Sequence, residues 1–339
     1  NVVLHPIMKA LVLKETHQPL ELEERPDLQA APGAVIVKLV AAALNRRDFW
    51  ITQGLYPGTI PGVILGSDAA GVVSQVGEGV DESWLEKEVI INPSLDWGER
   101  QEAFGDAFTI LGLPVDGTFA TELTVPASQL HDKPVHLSWE EAAALPLAGL
   151  TAYRALFSQG KLQAGETILI TGVGGGVATF VLQYAVAAGA DVWVTSSSKD
   201  KIQRAIELGA KGGFIYTDDN WPQQFSESAG PPSLIIDSAA GSTYDTLIDV
   251  VEMGGRIVNF GATLGPPDIL EMRKVFWKQL RLQGTTMGSP ADFQEMLQFN
   301  IKHGLKPIVD AVYPLAEGNV AIDQMKTSPQ FGKYVLRIE

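Results

Sequence analysis

The chain of 339 residues contains no cysteine. That absence excludes disulfides, thiolate zinc sites, iron–sulfur clusters and a cysteine nucleophile. Positive charge is scarce, with 25 Lys and Arg against 40 Asp and Glu, a formal net charge of −15. Nucleic acid demands a basic footprint and anionic membrane surfaces attract basic segments, so neither partner is expected. Internal repeats and low-complexity tracts are missing. The one apolar stretch of membrane-like length, Thr167 to Val194, is broken by its glycine cluster and by Gly189-Ala190-Asp191, leaving pieces too short to cross a bilayer. No signal peptide is visible, because Met8–Leu13 (MKALVL) reads as a short apolar strand without a small-residue cleavage site. Met8 reads as the native start, residues 1–7 as an added remnant, and the expected location is the cytoplasm. No Walker-type loop and no serine–histidine–acid arrangement is present, which argues against kinase and hydrolase chemistry.

What is there is apolar enough, at 45% hydrophobic, to bury a core, and long enough for about two domains. From residue 8 to about 130 the signals are strands and turns: AVIVKLVAAAL (34–44), DAAGVVSQVGEGV (68–80), KEVIINP (87–93) and GTFATELTVP (117–126). This half reads as mostly β, a small barrel. The rhythm changes at Ser138, an N-cap with Glu141 three positions on, followed by apolar residues at helical spacing. Six short apolar strands then alternate with helices: TILIT (167–171), DVWVT (191–195), GGFIY (212–216), SLIID (233–237), GGRIVNF (254–260) and LRLQGTT (280–286). That alternation predicts a doubly wound parallel sheet. A helix and β-like segments after Gly288 return to the first half.

Between the first strand and its helix lies GVGGGVA, residues 172–178. Read as GxGxxG it matches at Gly172 and Gly174, with Val177 at the sixth position; read as GxxGxxA it matches at Gly172, Gly175 and Ala178. Small residues let the backbone approach a pyrophosphate, whose charge then meets the helix N-terminus. About 20 residues further on, an NAD site places an Asp or Glu on the ribose. Here the chain reads VTSSSKDK (194–201). Without the acid a 2′-phosphate meets no repulsion, and Ser196, Ser197 and Lys201 offer donors, so the residues point to NADP(H). The competing reading makes Ser198 a plain N-cap and the lysines solvated surface.

The chain resembles the medium-chain dehydrogenase/reductase superfamily, specifically its zinc-independent quinone oxidoreductase-like members. The resemblance runs from Met8 to the end and is carried by ALNRRDFWITQGLYPG (43–58), LGSDAAGVVSQVGEGV (65–80), EEAAALPLAGLTAYRALF (140–157), the GVGGGVA turn, FGATLG (260–265) and GKYVLRI. It implies a GroES-like β-barrel catalytic domain over residues 1–149 and 289–339. A Rossmann domain with a doubly wound, six-stranded parallel sheet is implied over 150–288. Zinc-dependent relatives hold metal at positions matched here by Asn45, Ser67 and Leu147, and their second, four-cysteine lobe corresponds to residues 94–115. No zinc is expected at either place, and His131 and His136 read as loop residues rather than ligands.

The resemblance further places Asn45 and Asp48 near nicotinamide and substrate, with Tyr56 as a hydrogen-bond or proton donor. Set against these roles, Asp48 reads equally as a helix cap and Tyr56 as turn packing before Pro57. Cofactor contacts implied are Thr151 beside the carboxamide, the turn Gly172, Gly174, Gly175, Gly176 and Val177, and Tyr216 on the 2′-phosphate. Phe260, Gly261 and Gly288 lie at strand ends, and Lys333 in the terminal segment that closes the cofactor cleft. The expected activity is NADPH-dependent hydride transfer to a quinone or α,β-unsaturated carbonyl. An enoyl-thioester or alkenal reductase, and a non-catalytic NADPH-binding protein, are the alternatives. A small electrophilic substrate and a homodimer, paired through the edge strand LRLQGTT, complete the expectation.

Overall fold

A computed structural model of the chain describes residues 7–327 and 329–338, so the reading of the first residues as a remnant falls almost wholly outside the described residues. The chain divides into two compact units, one of Asn1–Leu147 with Ser289–Glu339 and one of Ala148–Gly288.

The first unit is β-rich. Its larger sheet has seven strands, in the order Leu130–Asp132, Glu88–Ile91, Asp68–Val76, Ala34–Ala43, Lys333–Arg337 and Val309–Pro314, with Glu122–Pro126 pairing beside Ala34–Ala43. A three-stranded sheet centres on Ile7–Leu13. The two are tied by the Leu11 N–H to Phe119 carbonyl and the Thr121 N–H to Lys9 carbonyl bonds. Both therefore close over one apolar core, in which Leu11, Val35, Val37, Ile51, Leu65 and Phe119 are essentially inaccessible. The last strand inserts between chain-distant partners: Val335 lies opposite Ala43, and Tyr334 beside Ala311. That pairing brings Lys333 to the end of the strand Ala34–Ala43, where Asn45 begins a short helix, Arg46–Thr52.

The second unit holds a six-stranded, wholly parallel sheet. Its strand order is Gly212–Ile215, Asp191–Ser196, Thr167–Ile170, Leu234–Asp237, Arg256–Asn259 and Arg281–Gly284. The order reverses beside the first strand in sequence, the switch point at which open sheets of this kind bind ligands beyond their carboxyl ends. Ile168, Leu169 and Ile170 are all completely buried, the unbroken apolar run that a central parallel strand covered on both faces requires.

One expectation needs correction. The helical spacing from Ser138 suggests continuity through residue 157, but the structure breaks it into Trp139–Ala144, Pro146–Tyr153 and a π-helical turn, Arg154–Gln159. Proline lacks the N–H an inner helical turn needs, so the path restarts at Pro146. The capping box holds: the Ser138 hydroxyl accepts from the Glu141 N–H at 3.1 Å, and the Glu141 carboxylate from the Ser138 N–H at 2.8 Å. Among the described residues no helix is long and apolar enough to cross a membrane.

Candidate functional site

In the parallel-sheet unit, the turn after Thr167–Ile170 requires glycine: Gly172 and Gly174 adopt φ of +62° and +122°, which side-chain-bearing residues rarely take. The Val173 N–H donates to the Thr195 carbonyl at 2.9 Å, pinning the turn to the next strand. Gly175 is the N-cap of the 12-residue helix Gly176–Ala187, and a Cβ built on it meets no atom within 4 Å. The turn thus leaves open space directly before a helix N-terminus, whose first amides lack intrahelical acceptors.

At the ribose-side strand end the structure brings together Ser196, Ser198, Lys201 and Tyr216. The Ser196 hydroxyl is buried and accepts from the Ser198 N–H at 3.1 Å, and the Tyr216 N–H donates to the Ser196 carbonyl at 3.2 Å. Ser198 does cap the helix Lys199–Glu207, accepting from the Lys201 N–H at 3.4 Å. Ser197 and the Tyr216 side chain are exposed, and Lys201 is half-buried. The strand itself ends in Ser196 and is followed by Ser197 and Ser198, with Asp200 in the first turn of the next helix. The capping and phosphate readings are therefore compatible, since Ser198 does the capping and Ser197 stays exposed.

The sequence reading missed Asp237. Fully buried at a strand end, it accepts from the Thr171 hydroxyl at 2.6 Å, the Asn259 amide at 2.7 Å and the Ala240 N–H at 2.8 Å. These bonds lock three neighbouring strand ends, and they set the loop of Phe260, whose N–H donates to the Asp237 carbonyl at 3.1 Å. Gly261 packs against that loop so closely that a Cβ would lie 3.0 Å from the Ser238 carbonyl oxygen. Thr151 is buried in the helix Pro146–Tyr153, and Gly288 is the buried last residue of the unit.

In the β-rich unit, Gly66 turns the chain with φ +95°, where a Cβ would lie 2.4 Å from the Phe119 ring, and delivers Ser67 and Asp68 into the core. Both are completely buried. Asp68 is the centre of a polar cluster. Its Oδ1 accepts from the Leu147 N–H at 2.8 Å; its Oδ2 accepts from the Asn45 amide at 2.8 Å and lies 3.4 Å from the Lys333 ammonium. Lys333 also donates to the Asn45 Oδ1. Of the three positions matched to zinc ligands, Asn45 and Leu147 thus meet on one carboxylate, while the Ser67 hydroxyl bonds to Arg47 and the Leu111 carbonyl. Burial pushes the Asp68 carboxyl up and the Lys333 ammonium down, and each shift is opposed by the other's charge. Lys333, expected among the cofactor contacts, has its ammonium on these two side chains.

Asp48 is also completely buried, and accepts the Asn45 N–H at 2.7 Å through Oδ2. Its other oxygen has no partner among the described residues. Burial pushes its pKa up to about 6, against the nearby charges of Arg47 and Lys333. Tyr56 is half-buried and packs on the core, with its ring 5.0 Å from the Arg47 guanidinium carbon. Asp48 therefore caps the helix and Tyr56 packs on the core, whatever either does toward a bound substrate. Arg47, also missed, is buried and donates to the Ser67 hydroxyl and the Leu111 carbonyl, each at 2.8 Å.

A GroES-like β-rich unit in one chain with a Rossmann-type sheet that carries a glycine turn at its switch point defines the class of nicotinamide-dependent dehydrogenases. The family profile described as alcohol dehydrogenase GroES-like domain matches residues 31–135, and that described as zinc-binding dehydrogenase matches residues 176–302. The zinc-type alcohol dehydrogenase-like protein YogA of Leptosphaeria maculans is 36% identical over 96% of both chains. An acryloyl-coenzyme A reductase of Metallosphaera sedula is 30% identical over 97% of this chain and 99% of its own. Among solved structures, an NAD-dependent alcohol dehydrogenase matches with a TM-score of 0.93 at 33% identity, covering 98% of this chain and 100% of the other. The 2-octenoyl-CoA carboxylase reductase CinF, in complex with NADP and 2-octenoyl-CoA, matches with a TM-score of 0.88 at 26% identity, covering 98% and 88%. The chain belongs to the medium-chain dehydrogenase/reductase superfamily.

Proposed function

We propose that the chain is an NADPH-dependent reductase of an activated carbon–carbon double bond, with an enoyl thioester or related α,β-unsaturated carbonyl as substrate and no metal in the step. The observation that carries the proposal is the state of the matched zinc positions. Asn45 spends its amide on Asp68 and its oxygen on Lys333. Ser67 accepts from Arg47 and donates to the Leu111 carbonyl at 2.7 Å. Leu147 has no ligating side chain, and both oxygens of Asp68 are engaged. A zinc ion needs about three protein ligands from imidazole, thiolate or free carboxylate; this donor set, crowded by two cationic side chains, does not fit one.

Without a Lewis acid, reduction of an isolated carbonyl loses its main source of charge stabilisation. A conjugated double bond is already electrophilic at carbon and asks less of the protein. The CoA-linked substrates in the names of the Metallosphaera and CinF proteins support the enoyl thioester over the quinone. Bound, the dinucleotide supplies the hydride.

The residues that fit the dinucleotide are the Gly172–Val177 amides for the pyrophosphate, and Ser196, Ser197, Lys201 and Tyr216 for the 2′-phosphate. Thr151, Phe260, Gly261 and Gly288 would border the nicotinamide end. Asp48 acts through Asn45, fixing its backbone, while Lys333 and Asp68 fix its side chain. A homodimer through the edge strand Arg281–Gly284 belongs to the same proposal. The test is NADPH oxidation across a panel of crotonyl-CoA, butenone, benzoquinone and ethanal: turnover greatest with the first two supports the reading. Tight NADPH binding without turnover of any of them overturns it in favour of a non-catalytic binding protein.

A further inference from the structure

The strand Leu234–Asp237 lies between Thr167–Ile170 and Arg256–Asn259. Its carboxyl end therefore stands between the glycine turn on one side and the loop that starts at Phe260 on the other. Asp237 Oδ1 accepts from the hydroxyl of Thr171, the residue directly before Gly172, at 2.6 Å. Its Oδ2 accepts from the Asn259 amide at 2.7 Å and from the Ala240 N–H at 2.8 Å. Asn259 is held in that orientation, because its own Oδ1 accepts from the Tyr244 hydroxyl at 2.8 Å. Every bond in the chain thus points towards one group that only accepts, as an ionised carboxylate does.

Ala240 shows what the carboxylate holds in place. It adopts φ +51° and ψ −124°, a conformation that a residue with a Cβ keeps only when its surroundings enforce it. The loop after Phe260 hangs on the same short segment. The Phe260 N–H donates to the Asp237 carbonyl at 3.1 Å, the Thr263 N–H to the Ser238 carbonyl at 3.2 Å and the Leu264 N–H to the Ala239 carbonyl at 2.9 Å. Ser238 borders both sides: a Cβ on Gly172 would lie 3.6 Å from its hydroxyl oxygen, and one on Gly261 would lie 3.0 Å from its carbonyl oxygen. Enforced backbone of this kind gathers at functional sites, and this one lies at the carboxyl end of a parallel sheet, where ligands bind.

We propose that Asp237 is a positioning residue for the dinucleotide: it fixes the spacing between the Gly172 turn and the Phe260–Gly261 loop, and so aligns the pyrophosphate and nicotinamide ends of the bound molecule. The inference rests on the dinucleotide-binding reading and names the residue that keeps its two ends in register. Asp237 is fully buried and acts through Thr171, Asn259 and Ala240. The adenosine end, at Ser196, Ser197 and Tyr216, belongs to strands on the far side of Thr167–Ile170.

The test divides the ligand accordingly. Asp237→Asn keeps the shape and turns one acceptor into a donor facing the Asn259 amide and the Ala240 N–H. It should weaken NADPH binding by about 10-fold or more, the scale of one charge-assisted hydrogen bond. Adenosine 2′-phosphate carries neither pyrophosphate nor nicotinamide, and its dissociation constant should stay at the wild-type value. Adding Asn259→Asp returns an acceptor opposite the new amide and should recover part of the NADPH loss. A folded Asp237→Asn protein that binds NADPH like wild type, or that loses both ligands equally, overturns the proposal. Should it fail to fold, Thr171→Val removes one of the three donors and keeps the side-chain shape; the same split is expected, and the same two outcomes overturn the proposal. Failure of the dinucleotide reading shows up separately, as wild type that binds neither ligand, and takes the proposal with it.

Discussion

The Lys333 ammonium donates to the side-chain oxygen of Asn45, 288 positions earlier in the chain, and both hold the same oxygen of Asp68. The last strand of the protein thus supplies the charge that neutralises a buried carboxylate near its first helix. Removing one partner of such a pair leaves an uncompensated charge, at a cost of about 3–5 kcal/mol. Lys333→Met should therefore lose about that much stability in urea unfolding, and adding Asp68→Asn should restore a large part of it. Additive losses in the double variant would show that the two groups do not neutralise one another.

Asp48 makes stability depend on pH with a definite sign. Its folded pKa of about 6 lies above the ordinary 3.8, so between those values the folded state binds more protons than the unfolded one, and stability falls as pH rises. The difference is worth at most about 3 kcal/mol, complete by about pH 7. Asp48→Asn carries no such titration. Relative to wild type, it should gain stability between pH 4 and 6 and hold a constant offset above 7. The check is paired urea unfolding at each pH; a difference independent of pH contradicts it.

In the proposed reading, coenzyme choice is set at Ser196–Lys201. One charge-assisted contact is worth about 1.5–3 kcal/mol, roughly 10- to 150-fold in affinity. Lys201→Ala should weaken NADPH binding within that range and leave NADH nearly unchanged. Ser196→Asp should turn the preference towards NADH by adding repulsion to one nucleotide and a ribose acceptor for the other. Equal losses for both nucleotides would make Lys201 a support of the helix alone.

The strand Arg281–Gly284 ends its sheet, with Phe276 and Trp277 exposed just before it at 65% and 74%. An unpaired edge beside exposed aromatic surface is a hazard that proteins cover. Light scattering at micromolar concentration should report a dimer. A monomer would contradict this.

The parallel sheet was legible because its strands are short, apolar and separated by helices, so that local pattern and global topology agree. Ser138 and Glu141 likewise announced a helix start by their spacing alone. The site was half legible. Asn45 and Ser67 stood out as poor ligands at metal positions, but Arg47 and Asp68 did not, because Arg46-Arg47-Asp48 at a helix start looks like solvated charge until tertiary packing buries Arg47, and Asp68 reads only as the first residue of a strand. The terminal segment carrying Lys333 was legible, while its bonds to Asn45 and Asp68 were not, since a contact across 288 positions leaves no local signal. Asp237 ended a strand as many surface aspartates do, and only the convergence of Thr171, Ala240 and Asn259 on it reveals a structural hub.

Hydride transfer to an activated double bond is proposed to proceed without metal. Its most direct test is steady-state NADPH oxidation with crotonyl-CoA by protein dialysed exhaustively against a chelator and checked for zinc by elemental analysis. Turnover equal to that of the undialysed protein is the predicted result. Activity that disappears with the chelator and returns with added zinc would contradict the claim.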